Sequence, residues 1–158
     1  MKAFVIPSDS MCPAICEHER IYSSMVAYRN AAPARGDIIM FVSKVAPQLY
    51  IKRVIAVGGD VVSEASGKIL VNGQPAKIPT PSEICGSPPP AVRLPGARLH
   101  FQQTTVPQGT YFVIGDNLNG SMDSRIPSFG TVKNEDIRGK PLFLYWSPSG
   151  SRIGCRIR

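Results

Sequence analysis

Residues 36–60 read Gly-Asp-Ile-Ile-Met-Phe-Val-Ser-Lys-Val-Ala-Pro-Gln-Leu-Tyr-Ile-Lys-Arg-Val-Ile-Ala-Val-Gly-Gly-Asp, and they decide the fold class. Ile38–Val42 is a continuous apolar run, as is typical of a strand buried on both faces. Tyr50–Val57 is a second strand candidate, which two glycines and an aspartate end. Strand alternation places Lys52 on one face of this strand and Arg53 on the other. The segment therefore predicts two β-strands, the second with two basic residues among apolar neighbours.

The composition extends this β prediction to the whole chain. The 158 residues include 14 glycines and 15 prolines, which favour turns and short strands over long helices. Hydrophobic residues make up 43% and charged residues 18%, which excludes a disordered tail and a coiled coil. This length predicts one domain, residues 1–158. Together with the strand and hairpin signals, the composition predicts a mainly antiparallel all-β fold.

Other strand signals are distributed along the chain. A helical periodicity is present at Ile21–Tyr28, and the six prolines between Pro79 and Pro95 predict an irregular insertion without helix. A hairpin is predicted at the Asn-Gly pair of residues 72 and 73. The further strand candidates are Phe4–Ile6, Val61–Glu64, Ile69–Val71, Leu99–Phe101, Tyr111–Ile114 and Leu142–Trp146.

The charge of the chain is compatible with an anionic partner. Eighteen lysines and arginines against eleven acidic residues give a formal net charge of +7, which suits a nucleic acid or an anionic membrane surface. The basic residues are scattered, so no nucleic acid is expected as a partner. No apolar run approaches the roughly 18 residues that a membrane span needs.

The four cysteines are too few for a disulfide scaffold, and the sequence leaves their pairing open. Cys12 and Cys16 precede His18 at a spacing that suggests part of a metal site, but no second ligand pair follows at a fixed spacing. We therefore expect no metal.

The chemistry-bearing residues are hydroxyls, one lysine and an acid–arginine pair. Lys52 is the base candidate because burial lowers the pKa of a lysine, whereas an arginine stays protonated; the alternative is a side chain that extends to water. Ser8 and Ser10 point the same way in an extended chain, although two serines at this place also suit a turn. Neither histidine has the neighbours of a triad member, so the residues favour a Ser–Lys dyad.

Four segments, in this order, are similar to the conserved boxes of the type I signal peptidases (leader peptidases, serine peptidase family S26). Ile-Pro-Ser-Asp-Ser-Met-Cys-Pro resembles the nucleophile box Pro-Ser-Gly-Ser-Met-x-Pro, and Arg-Gly-Asp followed by apolar residues resembles the second box. The third resembles the lysine box, and the fourth has the Gly-Asp-Asn and Ser-x-Asp-Ser-Arg patterns. The segments are Ile6–Pro13, Arg35–Phe41, Tyr50–Asp60 and Gly115–Arg125.

The resemblance implies a signal-peptidase or LexA-like β fold and a role for each matching residue. Ser10 is implied as nucleophile and Lys52 as general base, without metal or other cofactor. Ser8 and the Ser10 backbone N–H match the oxyanion hole, and Ser121 matches the serine that orients the lysine. The remaining matches are structural: Asp116 and Asn117 in a turn, and Asp123 with Arg125 as an ion pair.

The resemblance also implies substrate and location. The expected reaction is endoproteolysis of exported preproteins after small residues of the Ala-x-Ala type, with the signal peptide bound as an extended strand. Family members normally carry a transmembrane anchor just before the nucleophile, whereas nine residues precede Ser10 here. We therefore expect a catalytic domain without its N-terminal anchor, acting at an anionic membrane surface on the extracytoplasmic (periplasmic) side.

The chain departs from the family pattern at several positions. Asp9 replaces the glycine between the two serines, Gly59 replaces a proline and Leu118 stands where an arginine is common. Residues 126–130 replace a Tyr-Trp-Gly pattern. These differences concern turnover and substrate preference more than the dyad.

Two other functions fit parts of the pattern. A conjugative-transfer peptidase that processes or cyclises a pilin is a specialised relative. A self-cleaving regulator of the LexA type shares the Ser–Lys chemistry but needs a DNA-binding domain or a cleavable linker before the nucleophile. A catalytically inactive binding module is disfavoured because Ser10, Lys52 and Ser121 are all present.

Overall fold

Eleven strands build the part of the chain that the computed structural model describes, residues 1–88 and 100–158. All of their pairings are antiparallel, which confirms the predicted fold class. Three short 3₁₀ turns accompany them, and no helix in the described ranges is long and apolar enough to cross a membrane. The strands are β1 (Lys2–Val5), β2 (Arg20–Ser24), β3 (Ile38–Val42), β4 (Leu49–Val57), β5 (Val61–Ala65), β6 (Lys68–Val71), β7 (Gln74–Pro75), β8 (Thr104–Thr105), β9 (Thr110–Ile114), β10 (Val132–Lys133) and β11 (Ile137–Trp146).

A seven-stranded sheet carries the two strands that the first apolar segment predicts. Its order is β1-β2-β11-β3-β4-β9-β10, so β4 is an interior strand between β3 and β9. Ile38–Phe41 of β3 are buried, in agreement with their continuous apolar run. Strand β3 pairs with β4 in a register that sets Ile39 opposite Lys52 and Ile38 opposite Arg53. Both basic residues are therefore held at the centre of the sheet.

A four-stranded sheet, in the order β7-β6-β5-β8, follows β4. Asn72 and Gly73 have φ angles of +51° and +78°, as a tight hairpin turn with two left-handed residues requires, and this confirms the predicted hairpin. Gly59, in the turn from β4 to β5, has a φ of +93°. A proline cannot adopt this angle, so the departure from the family pattern at this position has a conformational reason.

Two segments differ from what their sequence patterns indicate. The helical periodicity at Ile21–Tyr28 does not correspond to a helix: these residues contain most of β2, whose exposure alternates with a period of two residues because the strand buries Ile21 and Ser23 between its neighbours β1 and β11. The strand predicted at Leu99–Phe101 is not formed at residues 100 and 101, and Leu99 lies outside the described residues. Phe101 instead packs against Phe112 with a ring distance of 5.7 Å, so its apolar character serves a core contact.

The proline-rich insertion is described only in part. A 3₁₀ turn at Pro81–Glu83 interrupts the segment that the prolines predicted to lack helix, and the Glu83 carboxylate accepts a hydrogen bond of 2.8 Å from the Thr80 backbone N–H at its start. Cys85 of the same segment forms a disulfide with Cys155. The end of the predicted insertion, residues 89–95, lies outside the described residues.

Candidate active site

The structure brings Ser10 and Lys52 together, although 41 residues separate them in the chain. Lys52 lies on β4 with a residual exposure of 2%, and its Nζ donates a hydrogen bond of 2.8 Å to Ser10 Oγ. A second hydrogen bond of 3.1 Å runs from Nζ to the carbonyl oxygen of Ile51. A hydroxyl and an amine at this distance can exchange a proton directly.

Burial changes the protonation of this amine. Removal from water lowers the pKa of Lys52 from 10.5 to about 8, because an ammonium ion loses its hydration there. The carboxylates of Asp123 and Asp116 act in the opposite direction, and the Arg125 guanidinium adds to the lowering. Close to neutral pH, a useful fraction of the Lys52 side chain is therefore the neutral amine that a general base requires.

Ser8 lies beside the same hydroxyl. Its Oγ donates to Ser10 Oγ over 3.4 Å, although the chain after β1 forms a bend at Asp9 and a turn at Ser10, the alternative to an extended chain. The backbone of Ser10 is held from the opposite segment, since its carbonyl oxygen accepts a hydrogen bond of 3.2 Å from the Asn117 N–H. The turn at 115–117 thus contacts the nucleophile candidate directly.

The resemblance implies a hydrogen bond between Ser121 and Lys52, and this bond is not formed among the described residues, although Ser121 lies near the Ser10 backbone. Its hydroxyl is buried and has no hydrogen-bond partner among the described residues, while Lys52 Nζ bonds to Ser10 and Ile51. Gly115 allows Ser10 and Ser121 to lie this close to the turn, because a Cβ at position 115 would overlap both the Ser10 carbonyl oxygen and the Ser121 hydroxyl. The turn needs glycine for close approach rather than for an unusual φ angle.

Two ion pairs surround the lysine. Arg125 binds Asp123 through two hydrogen bonds of 2.8 Å, and the Asp123 carboxylate also accepts the Gly115 N–H at 3.0 Å. Asp116 accepts two hydrogen bonds of 2.7 Å from Arg53 on the other face of β4. Sequence reasoning missed this second pair. The signal was an arginine inside an apolar strand, since a buried guanidinium needs a carboxylate partner.

The segment after Ser10 is closed by a disulfide between Cys12 and Cys16, whose Cα atoms are 4.4 Å apart. Asp9 Oδ1 accepts a hydrogen bond of 2.8 Å from the Glu17 N–H, so this departure from the family glycine has a structural partner. One ligand atom each of Asp9, Cys12 and Cys16 lies within 4.8 Å of the others, as in a metal site. Both sulfurs are bonded to each other, however, which leaves a single carboxylate for a cation.

A cleft of about 540 Å³ opens beside Ser10 and Lys52. Its walls come from β1 and the segment after it, from the first half of β4, and from Gly120 and Met122. The rim is apolar and accessible, with Val5 exposed by 63% and Met122 by 51%. A larger cavity of about 900 Å³ is lined by Arg53 but by neither Ser10 nor Lys52, so the smaller cleft is the one that adjoins the candidate dyad.

Comparison with known proteins identifies the family of the chain. Residues 1–146 match the family model for signal peptidase, peptidase S26. The chain is 32% identical to signal peptidase I of Leptolyngbya laminosa, over 92% of its own length and 68% of the length of that protein. It is 31% identical to signal peptidase I P of Bacillus subtilis subsp. natto, over 94% of its own length and 78% of the length of that protein. A crystal structure of a signal peptidase I from Enterococcus faecalis V583 superposes with a TM-score of 0.51 at 28% identity, over 69% of this chain and 96% of that one. The resemblance is confirmed, and the chain belongs to the signal peptidase family, peptidase S26, and is a peptidase.

Proposed function

We propose that this peptidase is a serine endopeptidase that removes signal peptides from exported preproteins, with Ser10 as nucleophile and Lys52 as general base. The observation that carries the proposal is the 2.8 Å hydrogen bond between Lys52 Nζ and Ser10 Oγ at a lysine whose pKa is lowered to about 8. Among the interactions of the described residues, neither histidine contacts Ser10 as another base would; His100 Nδ1 instead lies 3.5 Å from Glu64 Oε2.

Acylation follows from this pair. Neutral Lys52 accepts the Ser10 hydroxyl proton while Oγ attacks the scissile carbonyl carbon, and the carbonyl oxygen becomes an oxyanion. The Lys52 ammonium then returns the proton to the leaving amine as the peptide bond breaks, which leaves an ester on Ser10. Water, deprotonated by the same lysine, hydrolyses the ester and restores the enzyme. The chain's own groups supply every proton transfer.

The oxyanion is assigned to the Ser10 N–H and the Ser8 hydroxyl. Ser8 Oγ lies 3.4 Å from the attacking oxygen, close enough to reach the oxygen that develops on the bound carbonyl. Asn117 supports this arrangement through its N–H bond to the Ser10 carbonyl. Ser121 is assigned to orient Lys52 when substrate is bound, since its buried hydroxyl has no other partner in the described chain.

The cleft favours an extended peptide as substrate. Strand β1 is the terminal strand of the large sheet, so its outer edge offers backbone groups to an added strand, and its end leads directly to Ser8 and Ser10. The apolar walls suit short aliphatic side chains, which supports small residues at the −1 and −3 positions of the substrate. The two relatives above are named signal peptidase I, which supports a signal peptide as the segment bound.

We place the enzyme at the extracytoplasmic face of a membrane. All four cysteines are paired, Cys12 with Cys16 and Cys85 with Cys155, and disulfides persist in oxidising compartments such as the periplasm. The net charge of +7 favours approach to an anionic lipid surface.

The test is cleavage of a preprotein that carries an Ala-x-Ala site. Ser10→Ala and Lys52→Ala should each lower kcat by about 10⁴-fold or more. Lys52→Arg should be equally inactive, because a guanidinium does not deprotonate. Lys68→Ala, at an exposed position of β6, is the matched control and should keep parental activity. Cleavage that survives in both Ser10→Ala and Lys52→Ala would refute the dyad.

A further inference from the structure

The peptide group between Asp9 and Ser10 is oriented by the residues that follow it. Its carbonyl oxygen, on Asp9, accepts a hydrogen bond of 3.0 Å from the Cys12 N–H. The group is trans, and in a planar trans peptide the N–H points opposite to the C=O. The Cys12 N–H therefore determines the direction of the Ser10 N–H, which is the backbone donor assigned to the oxyanion.

Cys12 is itself fixed by the disulfide to Cys16. The bridge closes a five-residue loop, residues 12–16, and the Ile15 N–H donates back to the Met11 carbonyl over 2.9 Å within the same turn. The loop is anchored to the core because the Cys16 N–H donates to the Glu19 carboxylate at 2.7 Å. Glu19 in turn forms a fully buried ion pair with Arg152.

The side chain of Asp9 holds the Cα atom before this peptide group against the far end of the loop. Its Oδ1 accepts the Glu17 N–H at 2.8 Å, one residue beyond the disulfide. The residue that carries the carbonyl of the 9–10 peptide is thus bound at its backbone to Cys12 and at its side chain to Glu17. Rotation of this peptide would break the Cys12 contact, while the Glu17 contact fixes the Asp9 Cα atom from which the peptide starts.

We propose that Asp9 and the Cys12–Cys16 disulfide are positioning elements that hold the Ser10 N–H in the direction an oxyanion needs. The inference rests on the proposed function, and it assigns a purpose to Asp9, which replaces the family glycine, and to Cys12, which occupies the variable position of the nucleophile box. Preorganised donors act on the transition state more than on bound substrate. Loosening the loop therefore lowers kcat and leaves KM nearly unchanged.

The first experiment compares two variants, each of which lacks one of the two disulfides. Removal of one complete oxyanion donor costs about 10²–10³ in kcat, and misorientation of a donor should cost part of this, about 10- to 100-fold, in Cys12→Ser/Cys16→Ser. KM should stay within about twofold of the parent. The matched control, Cys85→Ser/Cys155→Ser, removes the disulfide between the proline-rich segment and the C-terminal segment and should keep the parental kcat. An unchanged kcat in Cys12→Ser/Cys16→Ser, or a rise in KM alone, would overturn the inference.

The second experiment leaves both disulfides intact, so it remains decisive if Cys12→Ser/Cys16→Ser does not fold. Asp9→Asn keeps an oxygen acceptor for the Glu17 N–H and should retain most of the parental kcat, whereas Asp9→Ala removes the acceptor and should lower kcat about tenfold at similar KM. Equal kcat values in the two variants would refute the role of Asp9. A parent that cleaves no Ala-x-Ala substrate would instead refute the proposed function and this inference with it, whereas an active parent with fully active variants refutes the inference alone.

Discussion

The burial of Lys52 should cost folding free energy that a methionine recovers. The pKa of this lysine falls from 10.5 to about 8 in the folded chain, which corresponds to about 3 kcal/mol at 1.36 kcal/mol per pH unit. Below pH 8 both the folded and the unfolded chain carry the proton, so the full cost is present. Between pH 8 and 10.5 the folded chain releases the proton and the unfolded chain keeps it, so stability rises with pH. Above 10.5 the cost has vanished.

Lys52→Met carries no charge and should not show this rise. The stability of Lys52→Met relative to the parent should therefore fall by about 2.5 kcal/mol between pH 7 and pH 10, most of the total of about 3 kcal/mol. The variant also loses hydrogen bonds to Ser10 and Ile51, but this loss is nearly independent of pH and cancels between the two conditions. Only the pH-dependent part of the difference measures the buried amine.

Urea unfolding at both pH values, with free energies from the midpoint and the m value, measures this difference. Lys68→Met is the control, because the exposed Lys68 ammonium stays in water in the folded and the unfolded chain. A stability difference between Lys52→Met and the parent that stays constant within about 0.5 kcal/mol would refute the lowered pKa of Lys52 in the folded chain.

Three further substitutions or conditions test the site. The kcat/KM of the parent should rise with pH with an apparent pKa near 8. Arg125→Gln should move this rise to higher pH, because it removes the partner of the Asp123 carboxylate, which stabilises the Lys52 ammonium. A pH profile that is the same in Arg125→Gln and the parent would contradict this. Gly115→Ala should abolish cleavage, since its Cβ would displace the Ser10 carbonyl, and a fully active variant would be evidence against this close contact. Asp116→Ala should lower the unfolding free energy by about 3–5 kcal/mol in urea, because its arginine partner on β4 stays buried; a loss below about 1 kcal/mol would contradict this.

The local sequence pattern predicted strand β4, which carries Lys52 and Arg53, and the opposite faces of these two residues. Lys52 contacts Ser10 on one side of β4 and Arg53 binds Asp116 on the other, as alternation requires. The partners themselves are distant in sequence, and no local pattern states which turn meets which strand. The same limit applies to the cysteines, since four allow three pairings. Strand β2 shows a helical periodicity in the sequence because a segment of eight residues fits periods of 2 and 3.6 almost equally well.

The arginines also contribute to keeping the pKa of Lys52 low with two carboxylates in its surroundings. Free carboxylates would stabilise the ammonium form of Lys52, and Asp123 and Asp116 do raise its pKa. Each of them, however, is bound by two hydrogen bonds to its own arginine, Asp123 to Arg125 and Asp116 to Arg53. The Arg125 guanidinium offsets part of the field of the carboxylates, and desolvation is the largest influence on the pKa of the amine. The ion pairs thus allow carboxylates to bind the backbone of the site, as Asp123 binds the Gly115 N–H. Unpaired carboxylates would stabilise the ammonium form of Lys52 more strongly.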